Sequence, residues 1–475
     1  MPVSLTAAEL AEITSAAPPA APGAVFTGVQ TDSREVKPGN LFIALRGETS
    51  DGHNFLEKAL GAGAALFLVE NNASTAAFSA QEKLIKVSDT LAAYAALARA
   101  WRDRLGYPII AITGSMGKTT ARNMLFSMLG EYARCGSAIK SYNNRTGVPY
   151  TLCSFDPDLA YGITEAGTGR PGGIEYLSGI IKPDICVITC VAPAHIGAFG
   201  SLASIAKEKL AILSHAKEGC PLIVPAEDEA LWEEMRRQNI GARHPISTFG
   251  RRAGCAAWVE EIENRGLDGI AFTLHLGAER IRASSAAIGE HSAVNFAIAA
   301  LAARVACPQI SIQQIAAGIA KFKNEEMRGQ VERLGGRLIV NDAYNANAES
   351  VKAMLKVAAA EMRRGKKIGL LLGDIRELGE LGDRYHLEVA EAAAKLKPQF
   401  CVLVGEFSRV MQRELEKAGI DTLRADSAAD PAIADFIAAR DYDALFVKGS
   451  RGVALERAIE NLKKAQAPQL KERKE

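Results

Sequence analysis

From Ile109 onward, short continuous apolar runs are each followed by a polar or glycine-bearing turn and then by a stretch with helical periodicity. Residues 109–113, 161–164 and 185–191 are such runs. Strands buried on both faces of a parallel sheet read this way, and helices at 119–129 and 293–305 supply the cover. Residues 258–262, 269–276 and 280–284 are shorter and more polar, which predicts an antiparallel addition to that sheet. The strand–helix rhythm returns at 338–341, 368–372, 400–404 and 444–447, predicting a second, independent doubly wound sheet. Ahead of both, strand candidates at 41–45 and 65–69 flank a helix at 55–61 and form a small α/β unit. A helical stretch at 89–104 then leads to a boundary at Tyr107-Pro108. The fold class is therefore α/β with three domains. The tail from Gln466 is polar and expected to fray, and no tandem repeat of solenoid period is present.

Composition narrows the function class. A chain of 475 residues suits about three domains of roughly 100–230 residues. The net charge is +1 and Lys and Arg are dispersed, whereas a sequence-independent nucleic-acid binder needs a concentrated basic face. No nucleic acid is therefore expected as a partner. The eight cysteines show no CxxC pair or metal-type spacing, which predicts free thiols in a reducing cytosol. Residues 1–23 carry Glu9 and Glu12 but no Lys or Arg, unlike a signal peptide. No apolar run approaches the ~18 residues of a membrane span, and the alanine-rich stretch 296–306 is broken by Arg304.

The strongest motif is Thr113-Gly114-Ser115-Met116-Gly117-Lys118-Thr119-Thr120, directly after a strand and opening a helix. Main-chain N–H groups in such a turn, with the helix N-terminus, cradle a polyphosphate. Lys118 would reach the β/γ oxygens and the Thr119 hydroxyl would bind Mg²⁺. Ile112 stands where the usual pattern has its first glycine, but the strand–turn–helix context argues against a chance lysine in a glycine turn. ATP or GTP binding follows. In a doubly wound sheet ligands gather beyond the carboxyl ends of the strands, and two further ends carry candidates, Glu165 and His195. Alone, the first reads as a solvated loop acid and the second as a hydrogen-bonded structural histidine. Together beside a γ-phosphate they suit a Mg²⁺ site. Lys207 and Lys209, on a helical stretch at 204–213, are surface lysines by default.

At this point the motifs resemble the Mur ligase family, whose phosphate loop reads Thr-Gly-x-x-Gly-Lys-Thr. Thr31-Asp32-Ser33-Arg34, the run from Pro38 to Leu45, and Gly47-Glu48 with Asp51-Gly52-His53 look like the family's UDP-binding first domain. Asn143-Asn144 with Gly147-Val148-Pro149, and Ala194-His195 with Phe199-Gly200-Ser201 and Ala206-Lys207-Glu208-Lys209, are similar to its central segments. Three segments are most particular to the D-alanyl-D-alanine-adding branch: Asn341-Asp342-Ala343-Tyr344-Asn345-Ala346-Asn347, Leu372-Gly373-Asp374 with Glu377-Leu378-Gly379, and Val447-Lys448-Gly449-Ser450-Arg451.

The resemblance implies a small N-terminal domain for a UDP-muramoyl substrate (1–87), a central phosphate-loop mononucleotide-binding domain (88–322) and a C-terminal Rossmann-like domain (323–475). It implies a cytoplasmic, monomeric, ATP-dependent peptide ligase of cell-wall synthesis, joining D-alanyl-D-alanine to UDP-N-acetylmuramoyl-tripeptide through an acyl phosphate. Gly114 to Thr120, Asn295, Arg328, Asp342 and Asn345 would hold ATP. Thr119, Glu165, His195 and Lys209 would serve two Mg²⁺ ions, with Lys209 carbamylated and Lys207 the runner-up. Ser33, Arg34, Asn143, Asn144, Tyr344, Asn347, Lys448 and Arg451 would meet the substrates, and for Asp374, Lys448 and Arg451 a loop-shaping role is equally open. Members usually carry Asn at the positions of Cys190 and Ser292 and Pro at that of Ala348, and some siblings have Gly where Ala111 stands. A sibling adding a single amino acid, and a binding protein that has lost ligation, are the competing readings. The Asn-Asp-Ala-Tyr-Asn-Ala-Asn run opposes the first; the retention of Lys118, Glu165, His195 and Lys209 opposes the second.

Overall fold

A computed structural model describes residues 2–47 and 50–472; Glu48, in one motif quoted above, lies outside them. Near the start, Ser4–Thr6 pairs antiparallel with Val25–Thr27 around the helix Ala7–Thr14, which Thr6 and Glu9 close with a capping box. A four-stranded parallel sheet follows, in the order Val29–Gln30, Leu41–Ile43, Leu66–Glu70 and Leu84–Val87. The helix Thr90–Arg104 starts where the Asp89 carboxylate accepts from Leu91 N (2.8 Å) and Ala92 N (2.9 Å). One apolar cluster runs from Leu41 and Leu66 through Leu97 and Trp101 to Ile109 and Ile188, so this helix joins the first sheet to the next.

The nine-stranded central sheet has the spatial order Cys135–Ser137, Tyr161–Glu165, Ile109–Thr113, Ile185–Ile188, Leu222–Pro225, Ile246–Gly250, Ala257–Asn264, Ile270–Leu276 and Glu279–Ser285. Pairing is parallel as far as Ala257–Asn264, so the first of the three strands expected as an antiparallel addition joins the sheet in parallel, and only the last two pair antiparallel. The strand expected over 185–191 stops at Ile188. Beyond it the backbone serves another element: Ser115 N donates to Cys190 O (2.9 Å), and Ala192 N donates to Ser115 Oγ (2.9 Å). The short Cys135–Ser137 strand has no apolar run to announce it.

The last sheet has six strands in the order Gln330–Leu334, Arg337–Asn341, Ala444–Lys448, Ile368–Gly373, Phe400–Val404 and Asp421–Ala425, antiparallel in the first pair and parallel after it. Its core takes in Ile196, Phe199, Ile205 and Ile288 of the central unit. A second junction forms at the fully buried Glu361, which accepts from Leu267 N (2.9 Å) and pairs with Lys366 (2.6 Å) and Arg364 (3.0 Å). Instead of fraying from Gln466, the backbone continues as the helix Glu456–Glu472, the polar tail being the last turns of an element anchored by Ile459 and Leu462. Among the described residues all eight cysteines are unpaired, and no helix is long and apolar enough to cross a membrane.

Candidate active site

The loop after Ile109–Thr113 is shaped by two glycines. Gly114 has φ 142° and a Cβ there would lie 2.0 Å from Thr189 Oγ1; Gly117 has φ 76° and a Cβ would lie 2.9 Å from Asn295 Oδ1. Ser115 Oγ donates to Ala192 O (2.9 Å), tying the loop to the segment after the neighbouring strand. Gly117 is the N-cap of the helix Lys118–Leu129 and brings no side chain to its first N–H groups, which are left for an anion. Lys118 Nζ donates to Gly114 O (2.7 Å) across this cradle. Burial holds its ammonium below the usual lysine range, opposed by the charge of Glu165.

Glu165 is not the solvated loop acid that it resembles when taken alone. It is the last residue of its strand and wholly buried, because Tyr161–Glu165 pairs with the phosphate-loop strand as far as Ile112 opposite Glu165. Its Oε2 accepts from Thr119 Oγ1 (3.0 Å) and Asn143 Nδ2 (3.3 Å), and its Oε1 lies 2.8 Å from Arg122 Nη1. That ion pair is not matched by an aligned hydrogen bond to Oε1. A hydroxyl and a carboxylate beside a phosphate cradle are the hard oxygen donors Mg²⁺ takes. Among the described residues no group of three His, Cys, Asp or Glu is gathered where it could hold a metal ion. Arg122 escaped the sequence reading. Its signal was its place three residues after Thr119, on the same helix face.

His195 and Lys209 both lie within reach of the Lys118 charge. The His195 backbone is left-handed (φ 56°) where it caps the short helix Ile196–Phe199, and its Nδ1 is bonded to the Glu377 carboxylate of the last domain. Burial, then Lys118 and Lys209, bring the imidazole down to about 4, so the ring is neutral at physiological pH. Of the two lysines on the helix Leu202–Leu210, Lys209 is buried and Lys207 exposed, so the surface default holds only for the latter. Lys207 faces a separate cavity of about 640 Å³ with Arg237 and Arg243. Burial and then the Lys118 charge bring Lys209 down to about 7. Glu208 between them takes Gly172 N and Ile174 N (both 2.8 Å), fastening the start of a neighbouring helix.

A cavity of about 480 Å³ opens between the central and last domains. Ser115 to Thr120, Asn143, Ser292 and Asn295 form one wall; Arg328, Asp342, Tyr344, Asn345, Asn347 and Lys448 form the other. Arg328 donates to Ser141 Oγ (2.9 Å) and stacks over Tyr344 (4.0 Å to the ring centroid). Lys448 is pinned between Asp342 Oδ2 (2.6 Å) and Asn345 O (3.0 Å). Asn347 caps the helix Ala348–Arg363 through Ser350 N (2.8 Å). Glu165, His195 and Lys209 lie outside this wall, the first linked to it by Thr119.

Four expected substrate residues are not brought to the cavity. Ser33 and Arg34 sit in the first domain, with Arg34 held by Asp32 (2.6 Å). Asn144 Oδ1 accepts from Gly147 N (2.9 Å) in the turn that leads into the next helix, and Arg451 pairs with Glu456 (2.6 Å). Asp374 shapes a loop, accepting from Glu406 N (2.7 Å) and Phe407 N (3.1 Å). The departures are absorbed locally. Cys190 braces the phosphate loop with its carbonyl, and the Ser292 hydroxyl is spent on Ile288 O (2.8 Å). Ala348 is the first helical residue, where Pro would also fit.

The chain resembles known proteins along most of its length. Residues 25–102 match the model of the Mur ligase family catalytic domain, 112–303 the Mur ligase middle domain and 327–451 the Mur ligase glutamate ligase domain. The UDP-N-acetylmuramoyl-tripeptide–D-alanyl-D-alanine ligase of Synechocystis is 33% identical over 375 residues, covering 78% of this chain and 77% of the relative. The ligase of the same name from Bacillus subtilis is 30% identical over 443 residues, covering 92% and 93%. A crystal structure of MurF from Acinetobacter baumannii superposes with a TM-score of 0.84 at 26% identity, covering 98% of this chain and 99% of that one. The chain belongs to the Mur ligase family.

Proposed function

We propose that this chain joins D-alanyl-D-alanine to a UDP-N-acetylmuramoyl-tripeptide, converting ATP to ADP and phosphate, as an enzyme of peptidoglycan precursor synthesis. The observation that carries the reading is the cavity with two walls: a phosphate cradle with Lys118 on one, and the Asp342–Asn347 run with Lys448 on the other. Near end-to-end alignment with relatives of that name supports it. In this reading residues 1–87 take the UDP end of the acceptor through Ser33 and Arg34, 88–322 bind ATP, and 323–475 close over nucleotide and dipeptide. One chain supplies both walls, which supports action as a monomer. The wholly free cysteines suit the cytoplasm.

The cradle N–H groups and Lys118 hold the β/γ-phosphates so that the tripeptide carboxylate can attack the γ-phosphorus in line. The bond to the ADP oxygen breaks as the acyl phosphate forms. The dipeptide's neutral amine then attacks the acyl carbon, loses its proton and expels phosphate. When bound, Mg²⁺ would neutralise charge gathering on the phosphate oxygens, held by Thr119 and Glu165 at one position and by His195 and Lys209 at a second. Lys209 lies buried beside the cation Lys118, a poor place for a second ammonium. As a carbamate, formed from amine and CO₂ with loss of a proton, it would attract where it now repels. A ¹³C carbamate resonance appearing under ¹³CO₂ in the native protein, and absent from Lys209→Ala, tests this. Its persistence in that variant removes Lys209 from the role. For the ligation itself, phosphate release is compared with D-alanyl-D-alanine, meso-diaminopimelate, L-lysine and D-glutamate. Stimulation by the dipeptide alone is expected, and stimulation by one single amino acid instead would sink the assignment.

A further inference from the structure

Glu377 stands in the Glu377-Leu378-Gly379 motif with no role that its sequence context assigns. It belongs to the last domain, yet its carboxylate meets the His195 ring nitrogen Nδ1 of the central one. Four observations converge on that meeting point. His195 and Glu377 both hold left-handed backbone (φ 56° and 65°), uncommon for residues with a Cβ. Gly197 N donates to Glu377 O (3.4 Å), so main chain as well as side chain crosses the junction. A Cβ on Gly197 would lie 2.9 Å from Gly379 N, so the two backbones approach as closely as glycine allows. Gly169, just past the Glu165 strand, leaves room for the pair: a Cβ there would stand 3.4 Å from His195 Nδ1 and 3.9 Å from Glu377 Oε2. Unusual backbone kept at one spot from both sides points to a selected geometry.

We propose that Glu377 is a positioning residue for His195: by accepting the Nδ1 hydrogen it fixes the ring's orientation and tautomer, leaving Nε2 as the bare, lone-pair-bearing nitrogen, and it does so only when the last domain is docked. A carboxylate accepts and cannot donate, so the imidazole must carry its hydrogen on Nδ1. Carboxylate–histidine pairs of this kind raise the basicity of the opposite nitrogen and hold it on target. Because the carboxylate arrives on a different domain from the ring, the readiness of His195 is coupled to docking. The phosphate loop on one side cannot be served by an aimed imidazole until the Asp342–Asn347 wall is in place on the other. This rests on the reading of His195 as a site residue.

The test uses the full-length enzyme with Glu377→Ala, Glu377→Gln and His195→Ala. The Glu377 side chain is 59% exposed, so its removal leaves the fold intact, which the melting temperature verifies. Glu377→Ala is expected to lower kcat about 10–100-fold with little change in KM for ATP. Glu377→Gln, whose side-chain carbonyl still accepts, should recover most of that loss. Glu377→Ala made on top of His195→Ala should cost nothing further. With ¹⁵N-labelled histidine, the His195 ring should show its hydrogen on Nδ1 in the native protein and in Glu377→Gln, and a shift toward the other tautomer in Glu377→Ala. An unchanged ring spectrum with kcat within twofold in Glu377→Ala overturns the proposal. Equal damage in the Gln and Ala variants overturns it too, because charge rather than acceptance would then matter. If His195→Ala itself turns over normally, the reading of His195 beneath it fails; if His195→Ala is inactive while Glu377→Ala is normal, only the Glu377 proposal fails.

Discussion

Replacing Arg122 by Met should reveal how the acidic end of the phosphate site is held. Arg122 and Glu165 are 2% and 0% exposed, with 2.8 Å between Nη1 and Oε1. Removing one member of such a pair strands the other, at a typical cost of about 3–5 kcal/mol. Glu165 keeps two hydrogen bonds in the variant, from Thr119 Oγ1 (3.0 Å) and Asn143 Nδ2 (3.3 Å), which places the cost near the lower end, about 3 kcal/mol. In a unit of some 200 residues each kcal/mol moves the midpoint by about 2–4 °C, so the variant should melt about 6–12 °C lower. Scanning fluorimetry and circular dichroism measure it. The double variant Arg122→Met/Glu165→Gln removes the stranded charge and should regain most of the shift while remaining inactive. A single variant melting within about 2 °C of the native protein refutes the reasoning, as does a double variant no more stable than the single.

Gly114→Ala places a methyl against Thr189 at a φ that only glycine adopts with ease; strain of about 1–3 kcal/mol corresponds to a roughly five- to hundredfold loss of ATP affinity by calorimetry, and affinity within twofold contradicts the cradle described. Gly266→Ala would set its Cβ 1.7 Å from Glu361 Oε1 at φ 62° and should pry the last domain from the hairpin it grips. Small-angle scattering should then show a larger radius of gyration and kinetics a raised KM for ATP; an unchanged profile removes Glu361 as a docking contact. Asn347→Ala loses a helix cap worth about 1 kcal/mol, which Asn347→Ser keeps. Reduced turnover in both variants with lowered stability only in the first is expected if the amide also meets substrate, whereas full activity in Asn347→Ser confines Asn347 to capping.

What could be read from sequence was local. The phosphate loop is eight consecutive residues whose chemistry depends on their order, and the strands Ile109–Thr113 and Phe400–Val404 are continuous apolar runs ending where the apolar character ends. What could not be read depends on register between distant segments. Glu165 is buried because its strand pairs one residue further than its apolar run extends, setting it opposite Ile112. Arg122 reaches it only because the helix phase and that register coincide. Thr189 to Val191 look like strand because they are apolar in part, but their hydrogen bonds go elsewhere: Thr189 N to Thr113 O (2.9 Å) and Cys190 O from Ser115 N tie them to the phosphate loop, and Val191 N donates to Asp228 Oδ2 (2.6 Å). The Ser4–Thr6 and Val25–Thr27 pair is too short to show a period of two. Glu377 could not be assigned a task because its partner lies 182 positions away on another domain.

The central claim is that the γ-phosphoryl group of ATP passes to the acceptor peptide's carboxylate and not to water. Single-turnover reaction of ATP and D-alanyl-D-alanine with a UDP-muramoyl-tripeptide labelled with ¹⁸O in its terminal carboxylate measures this directly. Mass analysis of the released phosphate should find one ¹⁸O atom derived from the peptide for each amide bond formed. Unlabelled phosphate alongside normal amide formation would show that activation does not proceed through the carboxylate oxygen and would contradict the account.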